Sequence, residues 1–94
     1  MQKENNMKKI VSVVEVEGEG LEALLGKKVI LMCMNYFYSG VLEGVNSDFV
    51  KLSDPQIVYE TGDWGNKQWK NAQSMCMNEL YVRVPSIEAY AEGK

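Results

Sequence analysis

The chain has 94 residues, of which 46% are hydrophobic and 24% are charged, and its net charge at pH 7 is −3. This length supports one hydrophobic core, so residues 1–94 are expected to form a single domain. No apolar run approaches the roughly 20 residues that span a bilayer, and the acidic balance creates no overall field that attracts a polyanion. We therefore expect a protein without a membrane partner, in which any nucleic-acid contact is made by local loops.

The first part of the chain is polar. Residues 1–9 show no apolar periodicity and predict a flexible lead, whereas the β-branched run from Ile10 to Glu17 predicts an extra N-terminal strand. The run is too short and too acidic for the apolar region of a signal peptide. With only Cys33 and Cys76 in the chain, reduced thiols and a cytoplasmic location are expected.

The next segment combines a helix signal with a strand signal. Leu21, Leu24 and Leu25 fall at helical spacing and are followed by Gly26 and two lysines. This pattern predicts an amphipathic helix of about two turns. From Val29 to Met34 the period becomes two, and both faces are apolar, so this strand is expected to be covered on both sides.

A series of strands with short turns follows. FYSGVLEGV, from Phe37 to Val45, predicts a second strand whose glycines allow bends, and FVKL begins a third strand at Phe49. Pro55 cannot donate a hydrogen bond to a sheet, so it either interrupts the third strand or places it at an edge.

The second half of the chain continues the same pattern. Residues 61–71 predict a long hairpin connection with an exposed tip. The fourth strand runs on to Pro85 with a bend near Asn78, and SIEAY closes the sheet as a fifth strand. We therefore predict a mainly β fold, in which a strand and a short helix precede four or five consecutive antiparallel strands that form a small barrel.

Two segments resemble the motifs of the Sm/LSm family, which includes the bacterial Hfq-type proteins. LLGKKVILMCMN and YFYSGVLEGVNSDFVKL resemble the first motif, and LYVRVPSIEAY resembles the second, with Arg83 at the family's Arg-Gly step and Val84 in place of the glycine. The resemblance covers Leu21 to Tyr90. It implies a small bent five-stranded antiparallel open barrel, Sm-like and SH3-like, with a short N-terminal helix. It also implies that the chain forms a homo-oligomeric ring, binds single-stranded RNA and acts in RNA processing or regulation.

The resemblance also implies which residues contact RNA. They are Asn46, Ser47, Asp48, Phe49 and Arg83. An ungapped match puts Asp48 at the family's base-stacking position and Val50 at its asparagine position, whereas a shift by one residue puts Phe49 at the stacking position. The sequence leaves both registers open.

A different interpretation of the same residues is structural. In it the Asn46 segment only makes a turn, Phe49 fills the core, and Arg83 pairs with an acid such as Glu43 or Glu79. The chain would then be a ring or barrel that serves as a scaffold for other proteins, without nucleic-acid binding. A monomeric barrel with a small ligand is a third alternative.

The sequence MCMN occurs at Met32 and again at Met75. Thiolate and thioether groups suit copper(I), but alternation along a strand puts Cys33 on the face opposite Met32 and Met34, so a single copy cannot surround an ion. We expect both copies to lie on strands, with Cys33 buried beside Val29 and Leu31.

Catalysis is not expected either. Histidine is absent, which removes the commonest general base, and no phosphate-binding loop is present, so we predict no enzyme activity, no cofactor and no metal site. Trp64 and Trp69, with Lys67 and Lys70 between and beside them, either form a surface for a base or a partner protein or pack against the barrel.

Overall fold

The computed structural model describes residues 19–94, and its fold is mainly β. The strands are β1 (Lys28–Cys33), β2 (Phe37–Val45), β3 (Phe49–Glu60), β4 (Asn71–Ser74), β5 (Glu79–Arg83) and β6 (Ile87–Glu92). Two short 3-10 helices, Leu21–Leu24 and Val84–Ser86, precede β1 and β6. The predicted mainly β, antiparallel fold is confirmed. The predicted lead and N-terminal strand lie outside the described residues.

The six strands form one antiparallel sheet in the order β4-β3-β2-β1-β6, with β5 paired to β3 off this path. The long strand β3 is shared, because its first half pairs with β5 and its second half pairs with β4. Strand β6 returns to β1, as predicted for the closing strand. Strands β4 and β5 are thus two parts of the predicted fourth strand.

Strand β3 passes through Pro55 without ending. Asp54 has a φ of 48°, and the register with β2 shifts opposite this point, between Ser39 and Val41. The Pro55 ring is buried, and its carbonyl accepts a hydrogen bond from the Met75 N–H at 3.0 Å. A bulge therefore accommodates the proline and bends the strand where its partner changes from β5 to β4.

The helix before β1 is shorter than predicted. A single 3-10 turn, Leu21–Leu24, replaces the expected two turns. Leu25 is extended and Gly26 has a φ of 84°, which turns the chain so that the Gly26 N–H reaches the Leu42 carbonyl at 2.7 Å. Because this hydrogen bond joins the chain to β2 at Gly26, the helix has no second turn. Leu21 and Leu24 pack against the core.

The core is formed by residues of β1, β2, β3 and β5. Its buried residues are Val29, Leu31, Cys33, Leu42, Val50, Leu52 and Val82. The prediction that Cys33 shares a buried face with Val29 and Leu31 is confirmed. On the opposite face of β1, Ile30 is buried and Met32 is half-buried, whereas Met34, just beyond the strand, is 83% exposed, so the predicted cover does not extend past the end of β1.

The prediction that both MCMN copies lie on strands is wrong for the second copy, and the first copy lies on β1 only at Met32 and Cys33. Met75 to Asn78 form the break between β4 and β5, and Cys76 is exposed with a φ of 57°. The Cys76 N–H donates to the Ser74 hydroxyl at 3.2 Å, a local bond that replaces strand pairing at this bend. Both cysteines are free thiols.

We expect a thiol reagent to modify Cys76 in the folded protein well before Cys33. Burial, with a smaller contribution from the Glu88 carboxylate, raises the pKa of the Cys33 thiol, so the reactive thiolate is scarce there. Timed iodoacetamide labelling at about pH 8, followed by peptide mass spectrometry, measures both rates. In denaturant the two rates should converge, and faster modification of Cys33 in the folded chain would contradict the placement.

Candidate functional site

The turn between β2 and β3 is held by one side chain. The Asn46 Oδ1 accepts hydrogen bonds from the backbone N–H groups of Asp48 and Phe49, both at 2.7 Å. The Asn46 N–H donates in turn to the Phe49 carbonyl at 3.0 Å. This is the ordinary role of an asparagine in a turn, and it leaves Ser47 and Asp48 exposed at the tip.

The structure brings the predicted RNA-contact residues together at one end of the sheet. Phe49 in β3 lies directly opposite Arg83 in β5, and the Val84 N–H donates to the Asp48 carbonyl at 2.9 Å. The turn from Asn46 to Phe49 and the residue Arg83 therefore form one continuous region, although they are far apart in sequence. All five residues are exposed.

Phe49 belongs to the outer face of the sheet. Its neighbour Val50 is fully buried, so alternation turns Phe49 outward, where 40% of the residue is exposed. Its ring meets the Tyr81 ring edge to face, with centroids 6.3 Å apart and an interplanar angle of 90°. The interpretation that Phe49 fills the core is wrong, and buried Val50 is not accessible to a ligand.

Two cations accompany the aromatic pair. Lys51 lies opposite Tyr81 in the sheet, with its Nζ 5.9 Å from the centre of the Tyr81 ring and 3.0 Å from the Glu79 carboxylate. The hydrogen bond to Glu79 and the charge of that carboxylate raise the pKa of Lys51, which therefore stays protonated. We call Phe49, Lys51, Tyr81 and Arg83 the aromatic-basic surface.

Arg83 does not form the ion pairs that a purely structural role requires. Glu79 is engaged by Lys51, and the Glu43 carboxylate accepts the Ser53 hydroxyl at 3.0 Å. Within residues 19–94, no ion pair involves Arg83. Its guanidinium is thus a cation on an exposed residue next to an exposed aromatic pair.

The sequence did not single out Tyr81 or Lys51. Both belong to the site because β3 and β5 pair in a register that places Lys51 opposite Tyr81 and Phe49 opposite Arg83. Tyr81 stands two residues before Arg83, which on a strand means the same face. That spacing is the signal that could have found it.

The tryptophan loop lies between β3 and β4, and its tip is exposed as predicted. Trp64 is 57% exposed, whereas Trp69 is half-buried. The two rings pack against each other edge to face, with centroids 5.8 Å apart. They lie beyond the far end of β3 from the aromatic-basic surface, so the two aromatic groups are separate features.

Comparison of the chain with protein families, with curated proteins and with solved structures gave no match. In the part of the chain that the structure describes, no helix is long and apolar enough to cross a membrane. Across the same residues, no three cysteine or carboxylate side chains gather where they could hold a metal ion. The function is therefore inferred from the fold and the aromatic-basic surface.

Proposed function

We propose that this chain is an Sm-like protein that forms a homo-oligomeric ring and binds single-stranded RNA through the aromatic-basic surface. The observation that supports it most directly is the grouping of two exposed rings with two cations at one end of the sheet. Proteins recognise single-stranded RNA by stacking its bases on aromatic rings and by placing cations near its phosphates. The role would be in RNA processing or regulation, without chemistry of its own.

The order of pairing supports an Sm-like barrel. A short helix precedes β1, the bent strand β3 changes partners at its bulge, a 3-10 helix separates β5 from β6, and β6 returns to β1. The helix, β1, β2 and the turn into β3 follow the order of features on which the resemblance to the family rests. The pairing of β5 with β3 places the β2–β3 turn and the end of β5 side by side, where the aromatic-basic surface lies.

The edges of the sheet support assembly. Among the described strands, β6 is paired only to β1, and β5 is paired only to β3. Unpaired edges are templates for association, and pairing of β5 in one copy with β6 in the next would satisfy both. A ring would repeat the aromatic-basic surface once per subunit, and this repetition would strengthen weak individual contacts through avidity.

RNA binding is tested by fluorescence anisotropy with labelled oligo-U and oligo-A at two salt concentrations. We expect the RNA to bind at micromolar concentrations of the ring, and to bind more weakly at the higher salt concentration. The affinity of Arg83→Ala should be several-fold lower, because each subunit then loses one phosphate contact. Lys67→Ala is the matched control, since it removes an exposed cation from the tryptophan loop. No anisotropy change with either RNA would contradict the proposal.

Assembly is tested separately by size-exclusion chromatography with light scattering. A mass of several chains supports the ring, and a mass of one chain contradicts it. A ring that leaves the anisotropy of both RNAs unchanged would instead favour a scaffold for other proteins. The two measurements together therefore separate an RNA-binding ring from a protein scaffold and from a monomeric barrel.

A further inference from the structure

The side chain of Lys94, which is partly exposed, lies against the tryptophan loop. The Lys94 Nζ lies 4.5 Å from the centre of the Trp69 ring and 5.8 Å from the centre of the Trp64 ring. The two rings are nearly perpendicular, at 85°, so they form two walls around the cation. Contact of an ammonium with aromatic faces at these distances is favourable, and it is strongest for tryptophan.

The ammonium also has hydrogen-bond acceptors in the loop. The Lys94 Nζ donates to the backbone carbonyl of Asn66 at 2.8 Å and to that of Trp64 at 3.2 Å. Both acceptors belong to the turn between the two tryptophans, so the loop backbone and its rings act on the same atom. An acceptor pair of this kind requires N–H groups on the ligand.

The main chain of Lys94 is recognised as well. Its carbonyl oxygen accepts a hydrogen bond from the Trp69 Nε1 at 2.8 Å and another from the Ser39 hydroxyl at 3.1 Å. Ser39 is fully buried in β2, and it is the only buried polar residue among those the structure describes. A buried hydroxyl aimed at the ligand carbonyl fixes the lysine's position more precisely than surface contacts would.

We propose that the tryptophan loop is a binding site for a lysine residue with an unmodified ammonium, and that Lys94 occupies this site in cis. The site reads three parts of the ligand: the cation, its N–H donors and the adjacent main-chain carbonyl. The Gly93 N–H bonds the Lys28 carbonyl at 2.9 Å, which delivers Lys94 from the end of β6 to the loop. The contact between Lys94 and the tryptophan loop therefore joins the end of β6 to the β3–β4 hairpin.

The chemistry defines which ligand would enter if Lys94 were absent. A short peptide with an amide-linked lysine offers the same cation, donors and carbonyl, whereas a trimethylated lysine keeps the charge but cannot donate to the Trp64 and Asn66 carbonyls. This specificity does not depend on RNA binding, because the loop lies at the opposite end of β3 from Phe49.

The unaltered protein gives the first test. The methylene protons next to the Lys94 Nζ should show an upfield NMR shift from the tryptophan rings, and those of Lys67 should not. Lys94→Met should then move the Trp69 indole N–H signal and increase quenching of tryptophan fluorescence by acrylamide, with Lys67→Met as the matched control. Lys94 methylene shifts equal to those of Lys67 would overturn the proposal.

Binding in trans gives the second test. In Lys94→Met the carbonyl of residue 94 still accepts from Ser39 and from the Trp69 Nε1, so an added peptide can enter only with its ammonium. Acetyl-glycyl-lysine amide should shift the tryptophan signals of this variant at millimolar concentration, and the trimethyl-lysine peptide should bind roughly tenfold more weakly because two hydrogen bonds are lost. Equal binding of the two peptides, or none by either, would overturn the proposed specificity. A loss of RNA binding by Arg83→Ala has no bearing on these outcomes, so the two proposals fail independently.

Discussion

Replacing Gly40 with alanine is expected to lower the free energy of unfolding by about 2 kcal/mol, because it overpacks a close contact between two strands. A Cβ atom at Gly40 would stand 2.9 Å from the Ser53 carbonyl oxygen and 3.2 Å from the Leu52 Cβ. Leu52 is fully buried, and Ser53 adjoins the bulge at Asp54. Strands β2 and β3 therefore cannot move apart here without disturbing the core.

Gly44→Ala is the matched control, because Gly44 lies in the same strand but in an open position. A Cβ atom there would lie 3.7 Å from the Lys51 Cβ, an ordinary van der Waals distance. We expect this variant to be neutral or slightly more stable, since alanine restricts the unfolded chain. Urea unfolding followed by circular dichroism compares the two, and equal midpoints would mean that the close approach at Gly40 is not rigid.

The elements that the sequence predicted correctly are those with local signals. Strand β2 runs from Phe37 to Val45, the segment that the sequence predicted as a strand between short turns. Cys33 is buried as predicted because two-residue periodicity in β1 assigns it to the face of Leu31. Patterns of this kind depend only on neighbouring residues, so one sequence is enough to interpret them.

The features that escaped prediction depend on distant contacts. Residue Pro55 is accommodated inside β3 because a bulge at Asp54 adjusts the register with β2, and the Pro55 carbonyl receives the Met75 N–H. Cys76 adopts a positive φ because the chain must bend there to follow β3 past that bulge. Cysteine does not signal a positive φ by itself.

The same distinction applies to the candidate site. The resemblance to a family selected the turn at Asn46 and Arg83, and the structure places them together. Tyr81 belongs to the site only because of the register in which β3 pairs with β5. Lys94 reaches the tryptophan loop only because β6 pairs with β1. Cross-strand registers are set by the whole sheet, which a single sequence does not display.

Phe49→Ala is expected to weaken oligo-U binding by roughly tenfold, because a base that stacks on an aromatic ring gains about 1–3 kcal/mol from that contact. The matched control is Tyr59→Ala. Tyr59 is an exposed aromatic residue on the other half of β3, in an edge-to-face pair with Tyr36 at 6.1 Å, so its loss has a similar effect on the strand. Anisotropy titration of the three proteins at one salt concentration provides the comparison.

The variant Asp48→Asn then separates the two registers that the resemblance leaves open. If Phe49 stacks on the base, Asp48 only repels phosphate, and its neutral replacement should tighten binding while Phe49→Ala weakens it. If Asp48 contacts the base instead, Asp48→Asn should change the preference between oligo-U and oligo-A. The RNA affinity of Phe49→Ala should then equal that of Tyr59→Ala. Because Phe49 presents its ring beside Tyr81 and opposite Arg83, we expect the first result.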